Sequence, residues 1–168
     1  MGQVRNTIRA YAFEGHSPAA VLDATNQLLL SLRLNTIATC CYIQLDLDTA
    51  AATAVLAGHP PPILRTGKDA DLLTLRRGAP LGASRRTAYA QTDFAFPTGA
   101  TLLLYTDGLV EDRHHPIDQG FQELQAALAV APSDDPEAIL DNLLAGPVGP
   151  HPRSDDIALL CLVNTTGA

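Results

Sequence analysis

Two acidic stretches are the places where this sequence could do chemistry. The first is Leu102-Leu103-Leu104-Tyr105-Thr106-Asp107-Gly108. Its short, wholly apolar run predicts a strand buried on both faces. The run ends abruptly in an acid, and the glycine that follows suits a tight turn. A carboxylate at the exit of a buried strand is held rigidly, where a metal ligand or a general base could stand. The second is Ser154-Asp155-Asp156-Ile157-Ala158-Leu159-Leu160, with the order reversed: acids first, then a buried strand. If the two strands are antiparallel neighbours, Asp107 and Asp155 meet at one sheet edge. Carboxylate oxygens suit hard cations such as Mg²⁺ and Mn²⁺. Two such ions about 3.5–4 Å apart lower the pKa of a shared water and clamp a phosphoryl group. Each acid also fits a plainer role. Asp before Gly after a strand is a common turn, and Asp155-Asp156 fits a solvated charge pair.

Other candidates are weaker. The five histidines are His16, His59, His114, His115 and His151, and none has zinc-like spacing to a second His or Cys. His59 stands between Gly58 and three prolines, which reads as a structural loop, and His114 and His115 read as exposed. Leu45-Asp46-Leu47-Asp48-Thr49 superficially resembles the nucleophile loop of haloacid-dehalogenase-type phosphatases. That loop has one more residue between its second acid and its Thr and follows a parallel strand, so the stretch is taken as a hairpin turn. There is no G-x-S-x-G elbow, no Walker loop and no G-x-G-x-x-G.

The 168 residues, 46% hydrophobic, suffice for one domain with a sizeable core over residues 1–168. Eighteen acids against eleven bases give a net charge of -7 without a basic stripe, so nucleic acid is not an expected partner. No apolar run reaches membrane-spanning length and no secretory signal is visible, so no membrane association is expected. Cys40, Cys41 and Cys161 read as buried free thiols in a reducing cytoplasm.

The elements that must position the acids are legible as patterns. Val4, Ile8 and Tyr11 predict a first helix, ended by Gly15. Ser17 caps a second with Pro18 at its first position, and Val21, Thr25, Leu28 and Leu32 form its apolar stripe, widened by Leu22 and Leu29. Ile37 to Leu45 alternates as a strand, and Ala52 to Ala57 returns as its hairpin partner. Gly58 to Pro62 is a rigid loop. Ile63–Arg65 and Leu72–Leu75 flank Gly67-Lys68-Asp69 as a second hairpin. Gly78 to Gly82 is irregular. Ala88–Phe96 is a strand, and Pro97-Thr98-Gly99 turns the chain into the Leu102 strand. Phe121, Leu124 and Leu128 mark a third helix. Asp135 caps a fourth at Pro136, with Ile139, Leu140, Leu143 and Leu144 inside. Ile157 to Val163 is the last strand. Strands joined by hairpins rather than crossover helices predict an α+β fold of largely antiparallel sheets covered by helices.

Four motifs in order carry a family resemblance across essentially the whole chain. They are Val55-Leu56-Ala57-Gly58-His59-Pro60-Pro61-Pro62-Ile63-Leu64, Gly78-Ala79-Pro80-Leu81-Gly82, Leu102 through Glu111, and Ser154 through Leu160. Their order and spacing resemble SpoIIE-type phosphatase domains, the bacterial branch of the PPM-type metal-dependent serine/threonine phosphatases. The resemblance implies an α-β-β-α sandwich of two antiparallel sheets flanked by helices. It implies hydrolysis of phosphoserine or phosphothreonine on proteins by a water held on two Mn²⁺ or Mg²⁺ ions, with no phosphoenzyme. By motif position Asp107 and Asp155 are the metal ligands. Gly108 permits the turn that aims Asp107, and Asp156 and His59 stand in supporting positions. The implied partner is a phosphorylated anti-anti-sigma-type protein.

The family pattern also begins with two acidic motifs, Gly-Asp-x-x-x-Asp and Gly-Asp-x-x-Gly-His-Gly, on its first strands. Neither occurs in this sequence. Met1-Gly2-Gln3-Val4-Arg5 resembles the helix that follows the second motif. The expectation is a domain lacking its first strands, with too few carboxylates to hold two dications well. It would carry open sheet edges that favour self-association. A second expectation, from a different class, is a catalytically inactive remnant that acts as a partner-binding module.

Overall fold

The structure, a computed structural model, describes residues 2–32, 36–111, 116–131, 134–146 and 156–165. In chain order the elements are α1 (Gly2–Phe13), α2 (Pro18–Ser31), β1 (Cys40–Asp46), β2 (Ala51–Ala57), β3 (Ile63–Thr66), β4 (Asp69–Leu72), β5 (Arg77–Gly78), β6 (Gln91–Ala95), β7 (Thr101–Tyr105), a 3-10 turn (Asp107–Leu109), α3 (Ile117–Ala129), α4 (Pro136–Ala145) and β8 (Leu159–Val163). Helices and two antiparallel-rich sheets make this the expected α+β fold. The chain divides into two compact units.

The first unit comprises Met1–His59 and Thr74–Ala95. Its sheet centres on β2, which pairs antiparallel with β1 and β6 and parallel with the short β5. The Asp46–Thr49 stretch is the hairpin turn expected. Asp46 Oδ1 accepts the Asp48 and Thr49 amides at 3.0 and 3.2 Å. A hydrogen bond from the Thr49 side chain, then those two amides, hold the Asp46 carboxyl below its usual pKa. Both early helix termini follow their sequence signals. Gly15 adopts φ 81° just past α1, and Ser17 caps α2 by accepting the Ala20 amide.

The face that α2 buries is largely the expected one, shifted at its C-terminal end, where Leu28 is half-buried and Leu32 exposed. Val21, Leu22, Thr25, Asn26 and Leu29 are buried, whereas Leu32 is 53% exposed. Asn26 joins the buried face because its carboxamide binds backbone groups of Gly82 and Ser84. Its Oδ1 accepts the Gly82 amide at 2.8 Å and its Nδ2 donates to Ser84 O at 2.9 Å. Leu81 anchors the same loop, exchanging both backbone bonds with Ala38 and packing among Val4, Leu22, Leu29, Val55 and Tyr89. The stretch that reads as irregular in sequence is therefore tightly bound, because a buried amide satisfies backbone groups that no ladder reaches.

The second unit comprises Pro60–Leu73 and Phe96–Ala168, with sheet order β4-β3-β7-β8, antiparallel throughout. The β3–β4 hairpin differs from expectation. Its return strand is Asp69–Leu72, not Leu72–Leu75, and Thr66 pairs with Asp69 across a two-residue turn. Gly67 at φ 62° permits that turn, and the turn then fixes the register. The alternation is present, with Ala70 buried and Asp69 and Asp71 exposed, but the Leu72-Leu73 run obscures it. Helices α3 and α4 pack Phe121, Leu124, Leu128, Ile139 and Leu143 with Ile63, Leu103, Tyr105 and Cys161 into one core. Asp135 caps α4 by accepting the Ala138 amide, with Pro136 at the first position, as expected.

Arg65 on β3 is buried in this unit. Its guanidinium donates to Thr101 Oγ1 at 2.9 Å, Ala131 O at 3.2 Å and Asp134 Oδ1 at 2.9 Å. It thereby fastens the segment after α3 to the Thr101 end of β7. A cavity of about 530 Å³ beside it is lined by Arg65, Lys68, Val130 and Asp134 among others.

Candidate active site

The site is built from β7 outward. Leu102 and Leu103 point to opposite faces and both are fully buried, so β7 is covered on both sides as its sequence predicts. It lies between β3 and β8. Its ladder with β8 runs from Thr101↔Val163 to Tyr105↔Leu159. The end of β7 therefore meets the start of β8, the arrangement that brings Asp107 and the described residues Asp156–Ala158 to one edge.

Beyond the ladder the contact continues through Thr106. Its amide donates to Ala158 O at 3.0 Å. Its hydroxyl accepts the Ala158 amide at 2.9 Å and donates to Asp156 O at 3.0 Å. Asp107 then opens the 3-10 turn. The Asp107 carbonyl accepts the Val110 and Glu111 amides at 2.9 and 2.8 Å, and its Oδ1 accepts the Gly108 amide at 3.0 Å. Asp107 is half-buried, and a carboxylate has acceptor capacity beyond that one bond.

The platform under Asp107 is pinned from both sides. Tyr105 donates its hydroxyl to Pro61 O at 2.9 Å and stacks edge-on against Phe121, with ring centroids 6.3 Å apart. Leu109 and Val110 enter the core directly after the turn. Helix α3 then approaches so closely that a Cβ at Gly120 would lie 2.1 Å from Val110 O. Sequence reading missed Gly120. An isolated glycine inside a helical pattern is the signal that could have found it. Alanine there would gain about 1 kcal/mol of helix propensity. The clash is with backbone and outweighs that gain, so Gly120→Ala is expected to destabilise by about 1–3 kcal/mol in urea unfolding. A more stable variant would contradict this.

The other expected site residues fall out differently. Gly108 is buried but is not among the positive-φ glycines, and its amide donates to Asp107 Oδ1. Asp156 is exposed, two residues before Ala158. Asp155 lies outside the described residues, as do His114, His115 and His151. His59 belongs to the first unit, where its Nδ1 is 3.2 Å from Thr39 Oγ1.

The donor chemistry at the Asp107 edge is of the right kind for Mg²⁺ or Mn²⁺, carboxylate oxygen on a rigid turn. It is one side of such a site. Among the described residues no three His, Cys, Asp or Glu come together to hold an ion. The thiols do not compete as nucleophiles. Burial pushes Cys40 up to about 11, and burial with the neighbouring Cys40 pushes Cys41 up to about 12.

A profile of the family described as stage II sporulation protein E (SpoIIE) matches residues 1–164. The chain belongs to the SpoIIE family of PPM-type phosphatase domains. Solved structures agree in fold. The RsbU and RsbW domains of a Mycobacterium tuberculosis protein superimpose with a TM-score of 0.78 at 28% identity, covering 96% of this chain and 46% of that one. The manganese-presoaked phosphatase domain of Bacillus subtilis SpoIIE gives 0.67 at 13% identity, covering 100% and 76%. The SiaA-PP2C domain of Pseudomonas aeruginosa gives 0.67 at 22% identity, covering 96% and 65%. The chain thus spans less than half of the first of these. Among the described residues, no helix is long and apolar enough to cross a membrane.

Proposed function

We propose that residues 1–168 belong to one SpoIIE-type phosphatase domain. It acts on phosphoserine or phosphothreonine of a regulatory protein of the anti-anti-sigma type, in the cytoplasm. Asp107 and Asp155 hold the divalent cations, Mn²⁺ or Mg²⁺. The observation that carries this reading is the β7–β8 ladder ending at Tyr105↔Leu159, which delivers Asp107 and the Asp156 backbone to one edge. Bound ions of this kind lower the pKa of water and neutralise a phosphoryl group. The chain's own part is geometric. The 3-10 turn fixes Asp107, and the Gly108 amide orients its carboxylate through Oδ1. Because neither of the family's two further acidic motifs occurs in this sequence, these residues alone form a partial site with weak ion affinity and slow turnover. The outer edge of β8, where Leu160 is 53% exposed, is the surface for self-association through strand pairing.

The test is phosphate release from a phosphoserine peptide under Mn²⁺ titration. Expected is slow, Mn²⁺-dependent release that EDTA abolishes and added Mn²⁺ restores. Release indifferent to EDTA overturns the metal reading. The donor set is sparse among the described residues, and this favours one second reading, a non-catalytic module that binds a phosphoprotein. Absence of Mn²⁺ binding with retained partner binding would select it.

A further inference from the structure

Charge is unevenly divided in this chain. The first unit holds seven of the eleven bases, all arginine, and five of the eighteen acids; the second holds the remaining four bases and thirteen acids. The first unit is thus net basic within an acidic protein. Its charges also separate along β2. Asp46 stands opposite Ala51 at one end, with Asp48 in the same turn. Asp93 stands opposite Thr53 and accepts its hydroxyl at 2.7 Å, and Glu14 follows α1, 3.2 Å from the His16 ring. Arg77 stands opposite Leu56 at the other end, next to Arg76. Arg85 and Arg86 belong to that end as well, because they follow Leu81, which pairs with Ala38 just outside the Cys40↔Ala57 pair. Strands rise about 3.3 Å per residue, so Asp46 lies about 17 Å along the sheet from Arg77 and Asp93 about 10 Å. Both distances exceed the screening length of about 8 Å at physiological salt. The arginine end therefore acts as a positive surface of its own.

The backbone that carries these arginines is held on both sides. The Gly78 carbonyl after Arg77 accepts the Gly58 amide at 2.8 Å, and Ala79 O accepts the Tyr89 hydroxyl at 2.8 Å. Before Arg85, Asn26 binds Gly82 and Ser84; after Arg86, the Asp23 carboxylate of α2 accepts the Tyr89 amide at 3.0 Å. Arg85 itself donates to Leu30 O, near the end of α2, at 3.0 Å. Arg76, Arg77 and Arg86 are exposed and make no side-chain hydrogen bond or ion pair among the described residues. Guanidinium forks match carboxylates bidentately, and a fixed backbone lowers the ordering cost of binding. We propose that this end of the first unit docks an acidic segment of a partner protein, with Arg76, Arg77 and Arg86 receiving its Asp and Glu carboxylates. The second unit's excess of acids repels long polyanions such as nucleic acid and favours a short acidic stretch. This docking surface stands independently of the metal reading.

The probe is a fluorescein-labelled octaglutamate peptide, titrated with the whole chain and followed by anisotropy. Expected is binding that weakens steeply between about 0.01 M and 1 M salt. Affinity should fall at least about tenfold in Arg76→Glu/Arg77→Glu and in Arg86→Glu, because each puts like charge against the peptide. Melting temperatures should stay within about 2 °C of wild type, since all three side chains are exposed. Arg76→Gln/Arg77→Gln adds no repulsion and should weaken binding by a smaller factor. Lys68→Glu makes the same change of charge as Arg86→Glu, but in the second unit, and should leave the affinity unchanged. Equal losses in Lys68→Glu and Arg86→Glu overturn the proposal, since net charge alone then governs. So does absence of binding to the wild type at about 0.01 M salt. An oligothymidylate that binds as tightly, with the same dependence on the arginines, overturns the assignment to a protein partner and marks a general polyanion surface.

Discussion

Asp107→Asn is expected to lower Mn²⁺-dependent phosphate release by about 100-fold or more while leaving the fold intact. The substitution separates charge from shape. Asparagine matches aspartate in size and keeps an oxygen that can accept the Gly108 amide, now at 3.0 Å from Asp107 Oδ1. The 3-10 turn, its backbone bonds to the Asp107 carbonyl and the buried Leu109 and Val110 are untouched. The half-exposed carboxylate is not a core charge, so its loss should shift the melting temperature by no more than about 2 °C. The lost anionic oxygen is the group a hard cation requires. The expected pattern is therefore a large loss of Mn²⁺ response with an unchanged thermal melt. Asp156→Asn, on the second acid of its pair, should cost much less. Full Mn²⁺-dependent turnover in Asp107→Asn would remove this residue from the site. An unfolded variant would place its role in the turn.

Leu103→Ala is expected to cost about 2–5 kcal/mol of stability. Leu103 is fully buried on the strand that carries Asp107. It stands opposite Ile63 on β3 and Cys161 on β8 and packs in the core with Tyr105, Phe121 and Leu124. Truncation removes three carbons from a close-packed environment that collapses only partly around the void. Native stabilities are about 5–15 kcal/mol, so this one change takes a large share. Leu160→Ala on neighbouring β8 is the control. Its side chain is 53% exposed, and its removal should move urea unfolding by about 0.5 kcal/mol or less. Equal effects at the two leucines would mean that β7 is not the central strand of its sheet.

The sequence by itself determined the features that local chemistry specifies. The apolar run Leu102–Tyr105 ahead of Asp107 predicted a strand buried on both faces, and it is one. Ser17-Pro18 and Asp135-Pro136 state helix starts because an oxygen that caps and a ring that pre-sets φ act within one turn. The spacing of Phe121, Leu124 and Leu128 determined the buried face of α3 for the same reason. The mirrored order of the two acidic stretches put them at one edge only on condition that their strands were antiparallel neighbours, and the β7–β8 pairing meets that condition. The α+β class followed from hairpin connections, and the ordered motifs pointed to the family that the profile match then showed.

The tertiary structure decided what depends on residues far apart in the chain. Asn26 reads as a polar interruption of α2 until the Gly82 amide and the Ser84 carbonyl appear on either side of it. Arg65 reads as a surface charge on a short strand until Thr101, Ala131 and Asp134 enclose its guanidinium. Gly120 reads as a weak point in a helix until Val110 O occupies the space of its missing Cβ. The β3–β4 register turned on one glycine φ and a two-residue turn, against the pull of a more apolar run nearby. At the site itself, the sequence placed an acid at the end of a strand. That its neighbour Thr106 reaches across to Asp156 and Ala158 is a fact of pairing, and a hydroxyl's partners are set by what the fold brings within about 3 Å of it.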